Sequence, residues 1–421
     1  MKIQKIRGTT DLYGEKIQSF NRIISIVKNL SELYSFNEIS TPIIENSEVF
    51  HRTLGATCDI VRKETYSFID RDKTSITLRP EFTASIIRAV ISNNMLQSKP
   101  LRLFSYGPLF RHERPQKCRL RQFNQINFEY IGLDSHKADI ELIMLATDIL
   151  EGIMSLDKTS LKVNTLGNTE CRTKFKDSLR NYLSKYKNDL SETSLIRLEK
   201  NPLRILDSKD EKEQDILKQA PSLYNFLDYD SKKNFEEILM GLEKINISYS
   251  YDRNLVRGMD YYSGFVFEFV TKTLGSQGTV IAGGRYNNLI LEMGGVETPS
   301  VGFAGGVERL VELSKLPSVR EEPEYIRTIC LIPIGKLAED KSLGIIRDFR
   351  KKGIAIWMDH GFTLKKRLQR ANSQRAKFSI IFGENELIQD KYILKDMFSG
   401  EETTMSMSLL VKHLKNYLNF L

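Results

Sequence analysis

One stretch, FRHERPQKCRLRQFNQINFEYIG at residues 110–132, constrains this chain more than any other. Its first half crowds Arg111, Arg114, Lys117, Arg119 and Arg121 together. Its second half alternates residue by residue, as a strand with one polar and one apolar face does. Alternation puts Phe123, Gln125, Asn127 and Glu129 on a single face. With the preceding LRLFSYGPLF, the stretch reads as an antiparallel hairpin with a long basic loop, and Arg111 ends the incoming strand pointing into the same space. A guanidinium fork suits bidentate contact with phosphate, and Arg119 and Arg121 extend that path along a polyphosphate. Phe123 offers a flat face for a purine, and Glu129, deeper in, accepts a donor or a cation. A salt-bridged surface hairpin is the alternative, yet it requires no convergence of arginines, acids and amides on one face.

The chain around this hairpin has 421 residues, long enough for two or three domains. Hydrophobic residues at 41% and charged residues at 28% fit a globular chain, and no apolar run is long enough to span a bilayer. The opening MKIQKIRGTTDLYG has no apolar core behind its charges and is read as lacking a secretion signal. Cys58, Cys118, Cys171 and Cys330 are scattered, with no CxxC pair, which argues for a reducing cytoplasm and against disulfides or a zinc site. His112 and Cys118 without partners give no grounds for a metal. Net charge is +8, and from Tyr325 onward 17 Lys and Arg stand against 10 Asp and Glu, so nearly all the excess lies in the last quarter. Such a tail suits a module that meets a polyanion, or simply a solvated basic face.

Periodicity outlines the rest. Phe20, Ile23, Ile24, Val27, Leu30 and Tyr34 predict a helix over 15–34, followed by an irregular FNEISTPIIE that carries Pro42. TYSFI and SITLRP read as strands, 81–92 and 137–155 as helices. Residues 168–246 are rich in lysine and glutamate with helical spacing and read as a helical insertion between two parts of one sheet domain. Strands resume with ISYSYDR, FVFEFV and TVIAGGRY, a helix begins near Ala304, and LPSVREEPEY reads as a linker. Beyond it TICLIPI, a helix, GIAIWMD, a helix and FSIIFG alternate, implying a parallel or mixed α/β sheet. No GxxxxGK[ST] occurs, so a nucleotide would be held without a P-loop.

These segments together resemble the class II aminoacyl-tRNA synthetases, in their histidyl form. Residues 110–132 resemble that family's motif 2, VGFAGGVERL at 301–310 its motif 3, and the helix leading into STPIIE its motif 1. LVRGMDYYSGFVFEF at 255–269 and AGGRY at 282–286 resemble its histidine-specific elements, TLRPEFT at 77–83 its TLRPEGT, and the tail its anticodon-binding domain. The resemblance implies an α+β catalytic domain with a mainly antiparallel sheet over 1–322, the helical insertion about 168–246 within it, and a C-terminal α/β anticodon-binding domain over 325–421. It implies ATP-dependent attachment of L-histidine to tRNA(His) through a histidyl-adenylate, by a cytoplasmic homodimer, with Mg²⁺ accompanying ATP and no tightly bound protein metal.

The resemblance also implies roles for residues. Arg111 would hold the α-phosphate, with Arg257 a second cation there, and both would border the bound histidine. Arg119 and Arg309 would grip the outer phosphates, Arg309 also lying over the adenine opposite Phe123, and Glu113 would take the adenine edge. An imidazole has two nitrogens to satisfy, and Glu129 and Tyr262 would serve them. Glu81, Thr83 and Gln125 would meet the α-amino group. Gly283 and Gly284 would let backbone approach a ligand, and Tyr286 would close the pocket. Tyr261 would contact the ligand or pack beside it. The loop of Gln116, Lys117 and Cys118 would face the tRNA acceptor end. Three positions depart from the family pattern. Phe82 and Cys118 each stand where the family has glycine, and Asn287 stands where it has aspartate. Phe82 would crowd the amino-group site unless its ring points away. Three rival readings are a regulatory paralogue serving ATP phosphoribosyltransferase, a non-catalytic tRNA sensor, and a synthetase for another amino acid. Arg111, Arg257, Arg309 and the basic tail weigh against the first.

Overall fold

The computed structural model describes residues 3–54, 58, 60–116, 118–154, 156–274, 278–315, 329–361 and 363–419. The chain divides into two compact units, Met1–Val319 and Arg320–Leu421. The first is built on an eight-stranded sheet. Across it run Asn37–Glu38, Leu101–Phe110, Gln122–Ile131, Ser300–Gly306, Thr279–Arg285, Phe265–Val270, Ser160–Thr165 and Tyr249–Tyr251. Only the outermost pair at each edge is parallel; the five pairs between are antiparallel.

Alternation along these strands separates two cores. Phe104, Phe128 and Phe303 are direct cross-strand neighbours whose rings stack with centroids 4.8 and 5.0 Å apart. That face is covered by the helices Glu15–Leu33, His136–Ile153, Tyr229–Lys244 and Val307–Ser314, which contribute Ile23, Val27, Leu142, Ile149, Ile238 and Leu310. On the other side a second core is formed by Phe50, Phe82, Ile86 and Val90 together with Phe175, Leu179, Leu198 and Leu217. The last four come from the helices Thr169–Leu183, Glu192–Lys200 and Glu211–Lys218, the greater part of the stretch read as an insertion. The remaining helix of that stretch, Tyr229–Lys244, packs beneath the main sheet instead.

Two sequence expectations change. The helix expected near Ala304 starts at Val307; Ser300–Gly306 is a strand, paired with Gln122–Ile131 on one side and Thr279–Arg285 on the other. Three glycines within SVGFAGG disfavour helix, and two flanking strands saturate its backbone. Ser160–Thr165, where the sequence predicts no element, is also a strand of this sheet.

The second unit is an α/β sheet in which Ile356–Met358, Ile329–Pro333 and Phe378–Phe382 run parallel, followed by antiparallel Tyr392–Asp396 and Glu402–Met405. The helices Lys336–Lys351 and Leu364–Ser373 fall where the sequence predicts helices. The linker expected at LPSVREEPEY lies outside the described residues, as does Lys117. Among the described residues no helix is long and apolar enough to cross a membrane.

Candidate functional site

A cavity of about 390 Å³ opens on the polar face of the eight-stranded sheet. Its wall brings together Arg111, Arg119, Phe123 and Gln125 from the hairpin, Glu81 and Thr83 from the start of the helix Thr83–Ser92, Arg257, Tyr261 and Tyr262 from the loop before Phe265–Val270, and Arg309 from the helix after Ser300–Gly306. Residues up to about 230 positions apart in sequence therefore meet because five strands lie side by side.

The hairpin supplies the basic side. Arg111 donates from Nε to the Pro80 carbonyl at 2.9 Å and lies over the Phe123 ring, its guanidinium carbon 5.2 Å from the centroid. Burial pushes the Arg111 pKa down, while Glu64 and Glu81 nearby push it back up. Arg119 is paired with buried Glu113, and Glu64 lies 3.9 Å away. Arg309 donates to the Thr279 carbonyl, and burial lowers its pKa too, with Arg119 and Arg111 adding repulsion. Arg121 departs from the path expected for it. It lies outside this wall and packs over the N-terminal segment, where a Cβ on Gly8 would stand 2.8 Å from its Cγ and its backbone N–H bonds the Gly8 carbonyl at 2.7 Å.

The other side is acidic and phenolic. Glu81 accepts the N–H groups of Thr83 and Ala84 at 2.8 and 2.7 Å, at the N-terminus of the helix Thr83–Ser92, and the Tyr261 hydroxyl at 3.4 Å. Arg257 lies 3.5 Å from the Glu268 carboxylate and 5.6 Å over the Tyr262 ring, and its Nε has no hydrogen-bond partner among the described residues. Glu268 also accepts the Thr279 hydroxyl. The Tyr261 and Tyr262 rings lie against each other, centroids 4.7 Å apart and planes tilted by 42°.

Glu129 and Tyr286 do not border the cavity. Glu129 is fully buried, accepting the Thr83 hydroxyl at 2.5 Å and the Tyr286 hydroxyl, so the two residues form a polar layer behind Thr83. Burial raises the Glu129 pKa to about 8 against these two hydrogen bonds. Glycines shape this layer: a Cβ on Gly283 would lie 2.2 Å from the Gly302 carbonyl, and Gly284 has φ +155°. Phe82 turns away from the cavity into the core, with the Arg79 guanidinium 4.4 Å from its ring centroid. Cys118 adopts φ +57°, a left-handed conformation that a glycine takes without strain. Asn287 accepts the Ser300 N–H at 3.1 Å, tying two strand ends together. Gln116, exposed, exchanges two 3.0 Å backbone hydrogen bonds with Arg119 across the tight loop.

Sequence reasoning misses Glu268, Asp207 and Glu308. Glu268 carries a signal: it is the lone acid in FVFEFV and alternates with Phe267 and Phe269 onto the polar face. Glu308 bonds the backbone and side-chain amides of Asn124 at 2.9–3.0 Å. Asp207 reaches the cavity from the helical insertion, a long-range placement that no local pattern announces.

Comparison with known proteins identifies the family. Residues 8–310 match the histidyl-tRNA synthetase family, and residues 328–417 match an anticodon binding domain. Among curated relatives, histidine–tRNA ligases from Wolbachia pipientis wMel and Ehrlichia ruminantium (strain Welgevonden) are 47% and 45% identical. They align over 96% and 98% of this chain, and over 97% and 98% of their own lengths. The crystal structure of apo histidyl-tRNA synthetase from S. aureus superposes with a TM-score of 0.83 at 29% identity, covering 98% of this chain and all of that one. On the matches to both parts of the chain and on these full-length relatives, the chain belongs to the histidyl-tRNA synthetase family.

Proposed function

We propose that this protein is a histidine–tRNA ligase that activates L-histidine with ATP to histidyl-adenylate and then esterifies tRNA(His), releasing pyrophosphate and AMP. The observation that carries the reading is the convergence of Arg111, Arg257 and Arg309 with Glu81 and Tyr262 on one cavity. The reaction requires little side-chain proton transfer. The histidine carboxylate attacks the α-phosphorus, and charge gathers on the phosphoryl oxygens, where fixed guanidinium groups stabilise it more than in the ground state. Arg111 and Arg257 take that position from opposite walls. Arg119 and Arg309 hold the outer phosphates, with Mg²⁺ arriving as part of the MgATP substrate. Phe123 and Arg309 sandwich the adenine, and Glu113 meets its edge.

Glu81, Thr83 and Gln125 receive the α-ammonium group. Tyr262 serves one imidazole nitrogen, and Glu129, held behind Thr83 with Tyr286, acts on the site through the Thr83 hydroxyl it accepts rather than by lining the cavity. Gln116 and Lys117 face the acceptor end of tRNA, the basic C-terminal unit binds the anticodon arm, and the working form is a cytoplasmic homodimer. The regulatory-paralogue reading has little in its favour, since the phosphate-binding arginines and the C-terminal unit are both retained.

Histidine-dependent ATP–pyrophosphate exchange, followed by charging of tRNA(His), tests the reading. Exchange with histidine and with no other amino acid is expected. Absence of exchange would overturn the enzyme, and exchange with threonine or proline would overturn the specificity.

A further inference from the structure

The loop Arg253–Tyr262 carries Arg257, Tyr261 and Tyr262 to the cavity, yet it forms no part of a helix or strand. Side chains of the helical insertion reach its backbone and its Asp260 carboxylate. Arg172 donates from Nη1 to the Tyr262 carbonyl at 2.7 Å. Arg204 donates from Nη2 to the Gly258 carbonyl at 3.2 Å and pairs with the Asp260 carboxylate at 3.1 Å, with its side chain only 10% exposed. Asn201 donates to the same Asp260 oxygen at 3.1 Å. At the loop's other end the direction reverses: Arg253 donates from Nη2 to the Ala220 carbonyl at 2.5 Å and the Leu217 carbonyl at 3.3 Å. From outside the insertion, the Cys58 thiol donates to the Gly258 carbonyl at 3.3 Å, and the Asn164 side-chain amide donates to the Leu255 and Arg253 carbonyls at 2.9 and 3.4 Å.

We propose that Arg172, Asn201 and Arg204 are positioning residues: the insertion serves as the wall against which the amino-acid recognition loop is set, and Arg257 and Tyr262 reach their working positions only when that wall is docked. The physical grounds lie in the loop itself. A ten-residue segment without ladder hydrogen bonds samples many conformations, and each one it must leave to bind substrate weakens binding in proportion. Charge-assisted bonds at Gly258, Asp260 and Tyr262 remove that freedom on both sides of Tyr261.

The inference rests on the proposed function, and the test separates the two. Arg204→Ala, Arg172→Ala and the conservative Asp260→Asn are compared with the unaltered protein in histidine-dependent exchange, with thermal unfolding measured alongside. Failure of the unaltered protein to exchange would sink the function. For the inference, the KM for histidine is expected to rise about tenfold or more in Arg204→Ala and Arg172→Ala, the loss anticipated for a charge-assisted hydrogen bond. The KM for ATP should stay within about twofold, because its adenine and outer phosphates are held by the hairpin and Arg309, while Arg257 meets the α-phosphate chiefly as charge builds there in the transition state. Asp260→Asn, which keeps an acceptor for Asn201 and Arg204, should fall between. Equal rises in both KM values, or a lower melting temperature with both KM values unchanged, would overturn the positioning role and leave these residues as props of the fold.

Discussion

Gly302 stands directly opposite Glu129 in the sheet, and a Cβ at Gly302 would lie 1.7 Å from a Glu129 carboxylate oxygen. The carboxylate thus fills the space of the side chain its cross-strand neighbour lacks. Gly302→Ala must displace Glu129 from Thr83 and Tyr286 or push the strands apart. A loss of about 1–3 kcal/mol of stability is expected, the usual result of overpacking a core. Denaturant unfolding measures it, and the KM for histidine should rise in the same variant. Normal stability with normal activity would show that Glu129 has freedom the packed layer denies it.

The same carboxylate predicts a pH dependence. Glu129 titrates at about 8 in the folded chain against an ordinary 4.5, because burial penalises its charged form. Between those values the folded state binds more protons at this site than the unfolded state. Stability from this group is therefore complete below about 4.5 and is lost as pH rises through about 8. Glu129→Gln, which keeps the side chain's shape and one acceptor oxygen and cannot titrate, should flatten that decline. Unfolding free energies of both proteins across pH 5–9 give the comparison, and parallel curves would contradict the assignment.

Arg257→Ala is expected to lower histidine-dependent exchange by a factor of about 10² or more, the loss typical of removing one group that stabilises transition-state charge. Folding should change little. Glu268 keeps the Thr279 hydroxyl after the change, and Tyr262 remains in the core with Tyr261. Circular dichroism and a melting curve check the fold. Full exchange in this variant would mean that Arg257 is only the surface partner of Glu268.

What is legible in the sequence and what is hidden there follow one physical line. Period-2 alternation in QFNQINFEYI is enough to place Gln125 and Glu129 on one face, since strand geometry fixes that relation. It does not reveal that Glu129 is sealed behind Thr83 with Tyr286, because burial depends on which strands lie alongside, and Tyr286 is 157 positions away. The boundary near Ala304 is misplaced because AGGVERL has helical spacing; pairing on both sides overrides it as far as Gly306. Phe82 illustrates the limit most directly. Its replacement of glycine suggests crowding, and only the packing of Arg79 against its ring shows where the side chain goes. The insertion's Asp207, Arg172 and Arg204 are invisible as site residues, since nothing local links a lysine-rich helical stretch to a loop 50–90 positions later.

Arg285 and Asp139 form a buried ion pair at 2.7 Å, with side chains 4% and 0% exposed. Arg285 also donates to the Ser135 carbonyl at 2.6 Å, so one guanidinium joins the AGGRY strand to the start of the helix His136–Ile153. Removing one partner strands the other's charge. Asp139→Ala is expected to cost about 3–5 kcal/mol, read from denaturant unfolding. The double change Asp139→Leu with Arg285→Met should recover a large part of that loss. A loss below about 1 kcal/mol in the single variant would place the pair among weak surface contacts.

Removing residues 325–421 separates chemistry from tRNA recognition. The C-terminal unit has its own sheet and its own core of Ile329, Leu331, Phe349, Ile380 and Phe382, and the residues lining the 390 Å³ cavity all lie in the first unit. The first unit therefore keeps every side chain proposed to meet histidine and ATP, and exchange should persist within about tenfold. Charging of tRNA(His) should fall much further, because the basic unit supplies counter-charge to the polyanion, and that contribution weakens steeply with salt. Charging by the unaltered protein should accordingly show the stronger salt dependence in its KM for tRNA. Parallel loss of exchange and charging in the truncated chain, with the first unit shown to be folded, would make the tail part of the activation machinery.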